Sequence, residues 1–156
     1  MWKRLRYVLG LAALCAVATC PAARRSCIAR NRAREADDLL DWLGDKVAMR
    51  VALTGRVPPT AAPLTPAPSC CEQGGTCEPD ATTWAAPGWR ELDFTIDGPY
   101  RFSYEYVPDS SGQSAVLRAV GQVDCDAPAL TVELSLTVHG TLVERTWSHA
   151  TAEASD

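Results

Sequence analysis

The chain carries two hydrophobic periods, a helical one first and a strand-like one second. Between residues 22 and 54, apolar side chains recur at close to 3.6-residue spacing and aspartates take the opposite face, which predicts one amphipathic helix. Gly55 and the pair Pro58-Pro59 predict that this helix stops at Thr54. The apolar stripe consists of Ile28, Ala36, Leu39, Leu40, Leu43, Val47 and Val51.

The period becomes two after residue 91. Apolar and polar residues alternate in 92–97, in 100–106 and most regularly in 130–138, with turns expected at Gly98-Pro99 and His139-Gly140. This pattern predicts an α+β fold, in which an antiparallel meander of four or five strands has one apolar face and the helix covers it. The residues expected to pack helix on sheet are Leu39, Leu40, Leu43, Val47, Val51, Phe94, Phe102, Tyr104, Leu134 and Leu136.

These patterns divide the chain into five segments. Residues 1–23 form a basic and apolar export or anchor segment, and residues 24–56 form the amphipathic helix. Residues 57–69 contain five prolines and predict an extended linker. Residues 70–148 make the antiparallel β head domain, and residues 149–156 a flexible tail.

The first segment has the composition of a membrane signal. Three basic residues at positions 3, 4 and 6 precede an apolar run, which fits the positive-inside rule. Three fates stay open: an uncleaved anchor, cleavage near Ala22-Ala23, or lipidation of Cys20, for which Thr19 is a poor match. We expect anchoring in an inner membrane, with the head in the periplasm or outside the cell. The residues expected in the membrane are Tyr7, Leu9, Leu11, Leu14 and Val17.

Charge separates the two halves of the chain. The formal net charge is −4, but residues 1–56 hold 11 Lys/Arg against 5 Asp/Glu (+6), and residues 57–156 hold 4 against 14 (−10). A strongly acidic head would repel phosphate, so we expect no nucleic-acid partner. The basic stretch Arg24–Arg34 is expected near lipid headgroups.

Four of the seven cysteines lie in the head, at positions 70, 71, 77 and 125. In an exported protein they predict two disulfides, with three connectivities open. A vicinal bridge is sterically awkward, so we expect one of Cys70 and Cys71 to join Cys77 and the other to join Cys125. A four-thiolate zinc site is the alternative, although Cys125 lacks a chelating neighbour.

No catalytic set is recognisable in the sequence, and we predict that the protein is not an enzyme. Asp124 and Asp126 are a candidate calcium pair, because Ca²⁺ takes oxygen ligands; otherwise no cofactor is expected. Trp84 and Trp89 are candidates for a carbohydrate-stacking platform or, alternatively, for covering a small core.

Several motifs of the head resemble one protein family. They are Cys70-Cys71, Gly74-Gly75, Cys77, Trp84, Trp89, Leu92-Asp93-Phe94, Phe102-Ser103-Tyr104 and the run Gly121–Asp126. Together with a basic-apolar N-terminal helix, they resemble type IV pilin-like proteins and type II secretion pseudopilins, and among these the cysteine-containing pilin-like proteins of myxobacteria.

The resemblance implies a non-enzymatic structural or assembly protein at the cell surface, with other pilin-like subunits as partners. The chain departs from the family at its N-terminus. Gly10 is followed by Leu11 rather than by an aromatic residue or Met, and Cys15 stands where the family has Glu. The alternative function is a secreted or membrane-anchored module that binds calcium or carbohydrate.

Overall fold

The computed structural model describes residues 31–151. The chain divides into two compact units, 1–32 and 33–156, and nearly all described residues belong to the second. A helix, α1 (residues 31–54), is followed by a short strand, a 3₁₀ turn (Cys71–Gln73), a short helix and four long strands. The remaining elements are β1 (Ala62–Thr65), α2 (Pro87–Glu91), β2 (Phe102–Pro108), β3 (Ser114–Gly121), β4 (Leu130–His139) and β5 (Leu142–Thr151).

Helix α1 ends where the sequence predicts. Gly55 takes φ +71°, a conformation that glycine adopts without penalty, and its N–H donates to the Val51 carbonyl at 2.7 Å. The apolar stripe faces the core: Leu40, Leu43 and Val47 are fully buried, and Leu39 is partly buried against the same cluster. The predicted packing face of the helix is therefore confirmed from Ala36 to Val51.

The five strands form one antiparallel sheet in the order β1-β2-β3-β4-β5. Each strand pairs with its neighbours in sequence, so the sheet is the expected meander. The face that packs on α1 holds Phe102, Tyr104, Tyr106, Ala115, Leu117, Ala119, Val132, Leu134, Leu136 and Val138, all buried. An α+β fold with a helix on a five-stranded antiparallel sheet is thus established.

The sheet is wider than the sequence indicates. The predicted linker contributes β1, in which Pro63 is tolerated because an edge strand has one side free of ladder hydrogen bonds. Strand β5 continues to Thr151, so residues 149–151 of the predicted tail belong to the sheet. The β4–β5 connection is Gly140-Thr141, one residue later than expected, because His139 still pairs with Leu142.

The predicted strand over residues 92–97 is wrong. Residues 87–91 form α2, and Asp93 takes φ +51°, which breaks extended geometry. Leu92, Phe94 and Ile96 are nevertheless buried. Phe94 therefore enters the core from a loop, with its ring centroid 5.1 Å from that of Trp42 on α1.

Several expectations fall outside the described residues. The predicted membrane residues Tyr7, Leu9, Leu11, Leu14 and Val17 do, as do Ile28, residues 24–30 of the predicted helix and residues 152–156 of the predicted tail. Across residues 31–151, no helix combines the length and the apolar character needed to cross a bilayer.

Candidate functional site

Two disulfides tie the loop after β1 to the rest of the head. Cys70 joins Cys77, and Cys71 joins Cys125, with Cα–Cα distances of 5.0 and 5.4 Å. This is one of the pairings expected from the sequence, and it leaves no head thiolate for the zinc alternative. The first bridge is buried, whereas Cys125 is exposed. The bridges thus fasten the loop both to the core and to the β3–β4 connection.

The candidate calcium pair flanks the exposed end of the second bridge. Asp124 and Asp126 are both exposed, and the carbonyl of Asp124 accepts from the Ala127 N–H at 2.8 Å in a tight turn. Within residues 31–151, no three His, Cys, Asp or Glu side chains group closely enough to hold a metal ion. The calcium site stays a prediction of the sequence.

The two candidate platform tryptophans lie inside the head. Trp84 is 2 % exposed and Trp89 is fully buried, and their rings meet edge to face at 5.3 Å. Trp89 Nε1 donates to the Thr65 hydroxyl at 2.9 Å. Stacking on a sugar needs an exposed ring face, which neither residue offers. The alternative, that they cover a small core, is what the structure shows.

A ladder of ionic contacts joins α1 and β5, two elements that no sequence pattern predicts to be paired. On α1, Asp37, Asp41 and Asp45 lie one turn apart on one stripe, where like charges repel each other. Arg145 of β5 donates to Asp41 at 2.6 Å and to Asp45 at 2.5 Å, and His149 lies 2.8 Å from Asp37. The ladder therefore fixes the register of helix against strand.

Gly44 makes room for the ladder. A Cβ at this position would lie 3.0 Å from Leu134 Cδ2 and 3.5 Å from Arg145 Cζ. Glycine inside a helix costs about 1 kcal/mol relative to alanine. Here it lets α1 approach β4 closely while the Arg145 guanidinium passes over the helix.

The head contains three unusual buried or partly buried polar groups, on Glu35, Trp84 and Tyr104. Burial raises the pKa of the Glu35 carboxyl, although Oε1 accepts from the Arg101 N–H at 2.5 Å. Burial also raises the pKa of the Tyr104 hydroxyl well above its usual value. The Tyr104 hydroxyl and Trp84 Nε1 are buried with no hydrogen-bond partner among the described residues.

A groove of about 580 Å³ lies at the C-terminal end of α1. Three segments line it, namely the end of α1 with the residues that follow it, the end of α2, and the end of β2 with the β2–β3 turn. The lining residues are Arg50, Thr54, Arg56, Val57, Pro58, Pro59, Glu91, Pro108, Asp109, Ser110 and Gly112. Val57, Pro58, Pro59 and Pro108 form an apolar floor, and Arg50 and Arg56 form part of the rim. Ligand sites have this size and this mixture of apolar surface with a few polar groups. No sequence pattern predicts the groove, because its three segments are distant along the chain.

Hydrogen bonds within the head hold the groove walls in place. The Tyr106 hydroxyl donates to the Pro58 carbonyl at 2.6 Å, and the Val57 N–H donates to the Gly112 carbonyl at 3.1 Å. The Thr54 hydroxyl lies 2.9 Å from the carbonyl oxygens of both Arg50 and Arg56, and its single proton is donated to one of them at a time. The groove is therefore built into the fold rather than left between loose loops.

Comparison of the chain with protein-family models, with curated proteins and with solved structures gave no significant match.

Proposed function

We propose that this chain is an exported, non-enzymatic, pilin-like structural protein, held in the inner membrane by its N-terminal segment and presenting the α+β head in the periplasm or at the cell surface. The observation that carries the proposal is the combination of a helix packed along an antiparallel meander with two disulfides in the head. The resemblance of the head motifs to pilin-like proteins and pseudopilins of type II secretion supports the same assignment.

The disulfides support export. Structural disulfides form and persist in oxidising compartments and are rare where glutathione and thioredoxin keep thiols reduced. The Cys71–Cys125 bridge links residues 54 apart, so it restricts the unfolded chain strongly. A head of this size gains much from such a staple, because a small domain buries a modest core.

The helix supports a tethered, assembling protein. One side of α1 is buried on the sheet, while Met49 is 63 % and Leu53 is 77 % exposed. In the pilin-like plan, the exposed side of the helix contacts neighbouring subunits. Large apolar side chains on an otherwise solvated helix face fit that use. The basic stretch Arg24–Arg34, which overlaps the start of α1, suits a position near anionic headgroups.

Export and anchoring are tested together by producing the full chain in a Gram-negative host. Free thiols are alkylated before lysis, membranes are washed with alkaline carbonate, and the intact mass is measured. We expect the protein in the washed membrane with the four head cysteines protected. A matched variant that lacks residues 1–23 is expected to leave the membrane fraction. Full-length protein that fractionates like this variant, with the head cysteines alkylated, would contradict the proposal.

Assembly is tested separately, with a photoreactive amino acid at Leu53 of the full chain in the organism that makes it. We expect crosslinks between copies or to other pilin-like subunits, because position 53 lies on the exposed side of α1. The control position is Thr137, exposed on β4 away from the helix. Equal crosslinking at both positions, or none at Leu53, would refute pilin-like assembly while leaving the export result standing.

A further inference from the structure

We propose that the groove at the C-terminal end of α1 is a binding site for a small molecule with a carboxylate head and an apolar body. The proposal concerns only the residues that line this groove. It holds whether or not the chain is anchored or assembles, because every group it uses belongs to the folded head.

The hydrogen-bond inventory of the groove favours an anionic ligand. Arg50 uses one guanidinium N–H, from Nη2 to the Glu91 carbonyl at 3.1 Å. The Arg56 guanidinium has no hydrogen-bond or ion-pair partner in the part of the chain that the structure describes. A guanidinium carries five N–H donors in a planar fork and no acceptor. The rim therefore offers a surplus of charged donors, and a carboxylate matches that fork with two parallel hydrogen bonds.

The two carboxylates of the lining are already engaged with their own loops. Glu91 Oε2 accepts from the Thr60 N–H at 3.2 Å. Asp109 accepts from the Ser111 hydroxyl and from the Ser111 N–H, the latter at 3.0 Å. They hold the walls in place through neutral donors and keep their negative charge, so the lining holds two carboxylates and two guanidinium groups. Among these four side chains, only that of Arg56 makes no hydrogen bond within the described part of the chain. The acidic remainder of the head is screened beyond about 8 Å at physiological ionic strength.

The apolar floor of the groove favours an apolar body for the rest of the ligand. Val57 and Pro58 are buried, and Pro59 and Pro108 complete the apolar floor, which offers no side-chain hydrogen bond. The Arg56 stem lies over Gly112, where a Cβ would be 3.4 Å from Arg56 Cβ and Cδ. This contact places the guanidinium beside the apolar floor. A carboxylate that reaches Arg56 thus has its carbon chain directed onto the prolines.

The test uses the full oxidised chain labelled with ¹⁵N-arginine, in one buffer and one nonionic detergent throughout. Three probes are titrated: 3-phenylpropanoate, its uncharged analogue 3-phenylpropanamide, and inorganic phosphate. We expect 3-phenylpropanoate to shift the Arg56 side-chain and backbone resonances in a saturable manner. The amide and phosphate are expected to bind at least about tenfold more weakly, because the amide lacks the negative charge and phosphate lacks the apolar body.

Two variants assign the effect to the groove. Arg56→Gln is expected to weaken 3-phenylpropanoate about tenfold, since it removes the charged partner. Arg90→Gln is the matched control, because Arg90 is exposed and lies outside this groove, and it is expected to leave the affinity unchanged. Equal shifts with the amide, equal shifts with phosphate, or an Arg56→Gln variant that binds like wild type would each overturn the proposal.

Discussion

Leu43 offers the most direct test of the helix-on-sheet architecture. It is fully buried near the middle of α1, whereas Leu53 of the same helix is 77 % exposed. Replacing each with alanine makes the same chemical change in the same helix, with the same gain in intrinsic helix propensity. Any difference between the two variants therefore reports the packing of α1 on the sheet.

The size of the effect follows from burial. Leu→Ala removes the equivalent of about three methylene groups, each worth about 0.8 kcal/mol when buried. The cavity left behind adds to this loss, and buried Leu→Ala changes in proteins cost about 2–5 kcal/mol. We expect about 3–4 kcal/mol for Leu43→Ala and less than about 0.5 kcal/mol for Leu53→Ala.

Urea unfolding of the oxidised protein, followed by circular dichroism, measures both values. With a slope of about 1.5 kcal/mol per molar urea, the Leu43→Ala midpoint falls by about 2 M. Leu43→Val is a milder variant for the case in which alanine prevents folding, with an expected loss of about 1 kcal/mol. If the Leu43 and Leu53 variants unfold at the same urea concentration, α1 does not pack on the sheet as described.

Three further outcomes are expected. Replacing Cys71 and Cys125 together with serine should cost about 4 kcal/mol of unfolding free energy, given their separation of 54 residues, and a loss below about 1 kcal/mol would contradict the loop argument. Arg145→Gln should lower the unfolding free energy by about 1 kcal/mol, because exposed ion pairs are weak. Raising the salt concentration should reduce this difference from wild type, because salt screens the charges, and a salt-independent difference would refute the ionic ladder. Burial raises the pKa of the Glu35 carboxyl above 4.5, so the folded state binds this proton more tightly than the unfolded state does. As the pH rises from 4.5 through the raised pKa, the wild type should therefore lose stability relative to the Glu35→Gln variant. Thermal midpoints of both proteins at pH 4.5 and at neutral pH measure this, and a constant difference would disprove it.

Local patterns predicted the parts of the fold that local physics decides. The stripe from Ala36 to Val51 and the stop at Gly55 follow from helical periodicity and glycine geometry, and both are confirmed. The alternation over residues 130–138 matches β4 within one residue. The disulfide pairing was narrowed to two choices by the strain of a vicinal bridge, and the structure has one of them.

The secondary structure was predicted wrongly where apolar residues are buried without belonging to a β-strand. Leu92, Phe94 and Ile96 alternate like a strand and are buried, but they lie outside any strand, and Phe94 packs against the rings of Trp84 and Trp89. Strand β1 was missed for a different reason: it lies in a proline-rich segment typical of a linker, and its own Pro63 is tolerated because the strand is at the sheet edge.

The groove and the ladder could not be predicted, because both join segments that are distant in sequence. Arg56 and Gly112 meet only once the end of α1 lies beside the β2–β3 loop. Asp37 and His149 are 112 residues apart, and nothing in either local pattern indicates the other. From sequence alone, an isolated charge on a helix or on an edge strand is expected to be solvated, and only the folded structure shows that two such charges are in contact.

The pairing of α1 with β4 and β5 determines the order in which the head is completed. Strands β2 to β5 each pair with the next strand along the chain, so these hairpins close soon after synthesis. The apolar side of α1 is made first, yet Leu134 and Arg145, which cover Gly44 and its neighbours, are made about a hundred residues later. Until β4 and β5 are present, the part of α1 around Gly44 therefore lacks its cover. The nascent chain is most prone to aggregation in this interval, and the emergence of β5 ends it.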